Sequence, residues 1–313
     1  MNNASMHHTH PIPRAILLFI FCIIGIIVFS LVAISVCKVA GIDLESKLGL
    51  QIQTAFTQIG GFLLPALVFR RIFGGKSVTH FSLNKPKTLH VILTVILAIT
   101  GLGIVAYAGE INLKLLEGRG GFIAALKELE EQSAEIMMIM LDMKSIGSLL
   151  VTILLVGLLP GICEEFLFRG ALQSQLAKAF KNIHVAIWTT AIIFSAIHFQ
   201  FFGFIPRMLL GALFGYVLIY TGSIWMPILA HFINNTVGVL GYYLAQNTDL
   251  ISQEQVESTE VSWLIALGSA ALVLGVILLM KKSSNWPERR LEYLKFPYPK
   301  EIYIDQSEDD SPS

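Results

Sequence analysis

Charge is what this sequence has least of. Only 14% of its 313 residues are Asp, Glu, Lys or Arg, and 54% are hydrophobic, whereas soluble domains carry about 25% charged residues. A water-soluble globule of this length is excluded, because it needs far more polar surface. The class that remains is integral membrane protein. The 22 basic and 22 acidic side chains cancel to zero formal net charge, so no electrostatic footprint for nucleic acid is present. Cysteine is equally scarce. Cys22, Cys37 and Cys163 each sit within or beside an apolar stretch and read as buried, reduced thiols with no disulfide framework. No A-x-A-like cleavage site marks the first apolar stretch, Ala15–Cys37, which is also too long for a signal-peptide core and reads as a retained span. The His7, His8 and His10 cluster has no carboxylate or cysteine at ligand spacing and reads as a solvated tail. No internal repeat is detectable.

Long apolar runs are abundant. Spans of about 20 residues are expected at Ala15–Cys37, Gln51–Phe69, Leu89–Gly109, Ile146–Ile162, Ile183–Phe199, Met208–Tyr220, Ile224–Ala245 and Val261–Met280. The fold class is therefore all-α, a polytopic transmembrane helical bundle of about eight spans. The second run carries Gln51, Gln53, Gln58 and Pro65, and the sixth is short with Arg207 at its edge; both read as helices packed inside the bundle. Basic residues follow alternate spans: Arg70, Arg71, Lys76, Lys85 and Lys87, then Arg169, Lys178 and Lys181, then Lys281, Lys282, Arg289 and Arg290. Acidic residues outnumber basic ones between Glu110 and Asp142, and Asp249, Glu254, Glu257 and Glu260 stand in a segment with no cation. Lys and Arg prefer the cytoplasmic side, which places both termini there. Phe122–Met140 has helical periodicity, with Ala125, Leu126, Leu129 and Ile136 opposed to Lys127, Glu128, Glu131 and Glu135. It reads as an extracytoplasmic amphipathic helix on the membrane or capping the bundle. The tail after Phe296 is polar and reads as disordered. Three parts follow: residues 1–145 with three spans and the amphipathic helix, a core over 146–246, and 247–313 with the last span and the tail.

Ionisable residues inside spans are costly and mark function. Here they concentrate at Glu164-Glu165 with Arg169, at His198 with Phe194 one turn earlier, and at His231 with Asn234 and Asn235. Spacings of four put Glu165 with Arg169, and His231 with Asn235, on common helix faces; Asn234 can substitute for Asn235. Continuing the Glu164 helix to a turn near Lys181-Asn182 sets Glu164 opposite His198, each about 25 Å from that turn. His231 begins only about 13 Å from its own turn at Thr221–Ser223, so a shared level requires the Arg169–Lys181 hairpin to protrude into the cytoplasm. Carboxylates, imidazoles and an amide in a low-dielectric cavity suit peptide-bond hydrolysis. A carboxylate takes a proton from water, a histidine holds that water, and an amide with the second imidazole stabilises the oxyanion. Alternatively, Glu164, His198 and His231 ligate one Zn²⁺ with an open position for water. Cys163 as a thiol nucleophile is disfavoured by its acidic neighbour and apolar burial. Met137, Met138, Met140 and Met143 read as an ordinary apolar face.

These motifs resemble those of a known family. Glu164-Glu165-Phe166-Leu167-Phe168-Arg169 is similar to the EExxxR motif of the CPBP intramembrane metalloproteases (the Abi family), Phe194–His198 to FxxxH, and His231–Asn235 to HxxxN. The family contains the Ras-converting CAAX prenyl endopeptidases and bacterial proteins linked to bacteriocin processing and self-immunity. The resemblance covers roughly Ser148–Leu244. It implies a multi-pass endopeptidase of a bacterial inner membrane acting on membrane-embedded, membrane-associated or lipidated peptides. It further implies Glu164 as general base, His198 as its partner in water activation, His231 with Asn235 as the oxyanion site, and Glu165, Arg169 and Phe194 as support. A transporter using the same polar residues, or a non-catalytic immunity or scaffold protein on the protease fold, is the rival expectation.

Overall fold

The computed structural model describes residues 10–73, 82–258 and 260–284. His7, His8, Lys76, Arg289, Arg290 and the polar tail after Phe296 lie outside them. Each of the eight expected apolar stretches is helical. Helix α1 is Pro11–Val39, α2 Lys47–Phe73, α3 Thr88–Leu116, α4 Phe122–Met140, α5 Ile146–Phe180, α6 Ile183–Ala196, α7 Phe204–Thr221, α8 Trp225–Asn247, α9 Gln253–Glu257 and α10 Trp263–Lys282. Six of these elements are long and apolar enough to cross a membrane: α1, α2, α3, α5, α7 and α10. Helix α6, with 14 residues, rises only about 21 Å. Helix α8 has the length, 23 residues, but carries His231, Asn234 and Asn235. Among the described residues no strand forms, and an isolated bridge joins Leu83 to Ser223.

Proline and glycine decide how the long helices bend. Ser145 and Ser148 close a capping box at the start of α5. The helix then opens into wider π-helical turns over Ile153–Leu158 and Phe166–Leu172, a distortion common at functional sites. Pro160 lies between them and has no N–H for the carbonyl of Val156, four residues back. Asn235 of α8 supplies that hydrogen bond, its Nδ2 donating to Val156 O at 3.1 Å. Helix α3 breaks at Gly101. There Ser269 of α10 accepts from Ile104 N at 2.9 Å and donates to Thr100 O at 2.5 Å, so the backbone groups freed by the break find partners.

The main hydrophobic core draws on α1, α2, α3, α5, α6, α7, α8 and α10. One expectation is corrected by this packing. Arg169 and Lys178 are not loop cations: both lie within α5 and are buried, and only Lys181 stands at the turn. Arg169 to Lys178 are all buried, packed by α1 and α6. Burial against neighbours wins over exposure because the stretch Phe166–Leu172 is mostly apolar. The α5–α6 turn falls where expected, with Lys181 left-handed at φ 51° and Asn182 capping α6.

Candidate active site

The acidic pair sits at the start of the second π-helical turn, with Glu164 and Glu165 both buried. Their surroundings separate them. Arg169, fully buried, donates from one terminal nitrogen to Glu165 Oε1 at 2.7 Å and from the other to Gly211 O at 3.0 Å. His231 reaches the same oxygen, with Nδ1 at 2.9 Å. A carboxylate accepts, so Nδ1 carries the proton and Nε2 faces away, 4.0 Å from Glu164 Oε2. Glu165 is thus tied to a cation and an imidazole, whereas Glu164 keeps one oxygen towards His231 Nε2.

Aromatic rings hold these groups in place. Phe214 stacks on the His231 ring at 5.2 Å, and Phe194 meets it edge-on at 6.1 Å. The Arg169 guanidinium lies 4.6 Å from the Phe194 ring centre and 5.4 Å from that of Phe214, a cation–π arrangement suited to a desolvated cation. Phe194 also packs edge-on against His198 at 5.1 Å. Phe194 was expected as support; nothing in the pattern of α7 singled out Phe214.

His198 stands just beyond the end of α6, in the irregular segment 197–203. Its Nδ1 lies 2.7 Å from Phe194 O. A carbonyl only accepts, so this fixes the proton on Nδ1 and leaves Nε2 with a free lone pair. Non-helical backbone inside a bundle needs partners, and here they are side chains. Asn112 of α3 donates to Phe201 O and Phe202 O at 2.9 and 2.7 Å and accepts from Ile205 N at 2.9 Å. Glu130 of α4 accepts from Phe202 N at 2.8 Å. Arg207 donates to the carbonyl and side-chain oxygens of Gln200. Neither Asn112 nor Glu130 belongs to a motif, so spacing could not have found them.

Glu164, His198, His231, Asn234 and Asn235 line one cavity of about 620 Å³. Arg207, Phe194 and Phe214 complete it, with Ser133, Ile136, Met137 and Met140 of α4 as one wall. The amphipathic helix therefore caps the bundle. Its expected apolar face is only partly used, since Leu126 is buried while Ala125, Leu129 and Ile136 are exposed. Asn234 donates to Asn235 Oδ1 at 3.3 Å. From α2, Gln58 enters the cavity and donates from Nε2 to Glu164 Oε1 at 3.0 Å. Sequence alone sets Gln58 inside the bundle, on a polar-bearing span, but no motif gives it a role. Cys163 is fully buried and is not part of the cavity wall.

The implied zinc set does not fit as arranged. Among the described residues no three His, Cys, Asp or Glu groups stand where they could hold a metal ion. The 4.0 Å between His231 Nε2 and Glu164 Oε2 exceeds the spacing of about 3.3 Å between tetrahedral Zn²⁺ ligands.

Comparison with known proteins bears on this constellation. Residues 146–237 match the family described as type II CAAX prenyl endopeptidase Rce1-like. This segment is similar to that family. The Rce1-like segment contains Glu164, Glu165, Arg169, Phe194, His198, His231 and Asn235, and excludes Gln58, Asn112 and α4. The chain is also similar to an uncharacterized protein, YpbD, of Bacillus subtilis (strain 168), with 35% identity over 89 residues. That similarity covers 27% of this chain, which spans about two fifths (42%) of the relative's length. No solved structure matches.

Proposed function

We propose that the chain is an intramembrane endopeptidase that hydrolyses membrane-associated or lipidated peptides with a water activated by Glu164 and His198. The observation that carries this reading is the convergence of Glu164, His198 and His231 on one cavity within a bundle of helices long and apolar enough to cross a membrane. Glu164 takes a proton from water held at His198, and the hydroxide adds to the peptide carbonyl. The oxyanion develops against His231 and the Asn235 amide. His231 Nδ1 is committed to Glu165, so Nε2 is its only group for this task, and it donates there when the ring is protonated, as a charge-assisted donor. Collapse returns the proton from Glu164 to the leaving amine. Glu165 and Arg169 touch no reacting atom in this scheme; they hold the imidazole.

The proposed orientation is supported by which ends of the bundle meet. Lys87 bonds Ser283 O, Asn84 bonds Gly222 O, and Ser82 O accepts from Ile224 N. The basic stretches around Lys85 and Lys281 thus gather on one face, which we assign to the cytoplasm. The opposite face joins Lys47 to Asp142 O, Met143 to Gln246, and Val261 to Glu110. A bacterial inner membrane is the proposed setting.

The test is cleavage of a fluorescence-quenched, farnesylated peptide by purified protein in liposomes. Wild type cleaves it; Glu164→Ala and His198→Ala insert and fold but do not. Normal turnover by either variant, or none by wild type, sinks the assignment.

A further inference from the structure

Helices α1 and α2 lie outside the Rce1-like segment, yet they deliver a group to Glu164. The route begins with glycine. A Cβ on Gly25 of α1 would lie 2.1 Å from Gly60 O of α2, and a Cβ on Gly60 would lie 1.9 Å from the Phe29 ring. Only glycine permits this approach, which is how small residues let membrane helices pack backbone to backbone. Gly60 and Gly61 fall in the π-helical turn Gln58–Leu63, which packs on the α5 segment bearing Glu164. Gln58 opens that turn and donates to Glu164 Oε1 at 3.0 Å, the one hydrogen bond Glu164 receives among the described residues.

We propose that Gln58 is a positioning residue for the catalytic carboxylate: its amide fixes the plane of Glu164, and the α1–α2 glycine contact fixes the amide. The proposal rests on Glu164 acting as the base. With Oε1 taken by Gln58, Oε2 is directed towards His231 Nε2 and the cavity. A neutral amide suits the task chemically, since a Lys or Arg here would orient the carboxylate but cancel the basicity the reaction uses. The far end of the amide, Gln58 Oε1, is buried without a partner, so the contact with Glu164 is what orients it. Two partly independent units thus complete one site, the motif-bearing core providing the base and α2 its alignment.

The deciding variant is Gln58→Met, which keeps the volume and removes the donor. The same farnesylated peptide should show kcat lowered about tenfold or more, the usual effect of losing a hydrogen bond to a charged group, with KM within about twofold. A packing role alone leaves kcat at the wild-type value, and that result overturns the proposal. If Gln58→Met does not fold, Gln58→Asn keeps the amide but shortens its reach and should lose kcat likewise. A substrate-free readout is the infrared band of the Glu164 carboxyl group, identified by its loss in Glu164→Gln. This band should shift in Gln58→Met, and an unmoved band counts against the hydrogen bond. The two readings fail separately: cleavage by Glu164→Ala removes the base, whereas an inactive Glu164→Ala beside a fully active Gln58→Met removes only the role of Gln58.

Discussion

Glu164 and Glu165 are chemically identical neighbours in different surroundings. One is tied by Arg169 and His231, and the other faces the cavity. Their roles should therefore separate under mutation. Glu164→Gln should lower kcat about a thousandfold, the scale of a lost general base, with thermal unfolding in detergent unchanged. Arg169→Leu instead leaves Glu165 buried beside an imidazole without its cation, and should destabilise the fold by about 3–5 kcal/mol, measured by equilibrium unfolding. Asn235 raises a question the motif alone could not pose, because one of its N–H groups already serves the carbonyl orphaned by Pro160. Asn235→Ala should cost stability of about 1–3 kcal/mol. The double variant Pro160→Ala/Asn235→Ala restores a backbone N–H to Val156 O and should recover that stability. If Asn235 also serves the oxyanion, the double variant stays slow; recovery of cleavage along with stability would reduce Asn235 to a helix-pairing residue.

At the scale of elements, the segment between α6 and α7 is the least regular part of the site and the most dependent on distant partners. Phe199, next to His198, has φ 54°, a conformation a bulky residue adopts only when its surroundings impose it. Asn112 makes three hydrogen bonds to this segment and to Ile205, so Asn112→Leu should unlock it. The expected result is faster hydrogen exchange over residues 199–205 and at least tenfold slower cleavage, with α1 and α2 unaffected. Equal protection in the variant and the wild type would show that Asn112 is dispensable. Helix α4 meets the same segment through Glu130 and Phe202 N and forms one wall of the cavity.

At the scale of the whole molecule, the site is assembled by the motif-bearing core together with α2, α3 and α4, which precede it in the chain. The donor geometry does not match a three-ligand zinc site, and cleavage should persist after dialysis against a chelator, with metal analysis on the same sample. Loss of activity on chelation and its return with Zn²⁺ would mean that the side chains rearrange to bind metal. Single-cysteine labelling from either side of the membrane tests the orientation: a cysteine at Lys181 should react from the cytoplasmic side, and one at Asp249 from the other.

Much of this could be read from the chain alone. Apolar runs and scarce charge mean membrane helices whatever their packing, because a bilayer accepts nothing else at that composition. Spacings of four put Glu165 with Arg169 and His231 with Asn235 on shared faces, since helix geometry is local. The α5–α6 turn and the boundaries of α4 were legible for the same reason. Tertiary structure decided the rest. Sequence distance says nothing about which carbonyl a proline leaves bare, which asparagine rescues an irregular segment, or which glutamine in another helix meets a carboxylate. Arg169 and Lys178 looked like loop cations until neighbouring helices covered them. Glu164 stood out in the sequence as the expected base; its hydrogen bond from Gln58, and the glycine contact behind that, exist only where helices touch.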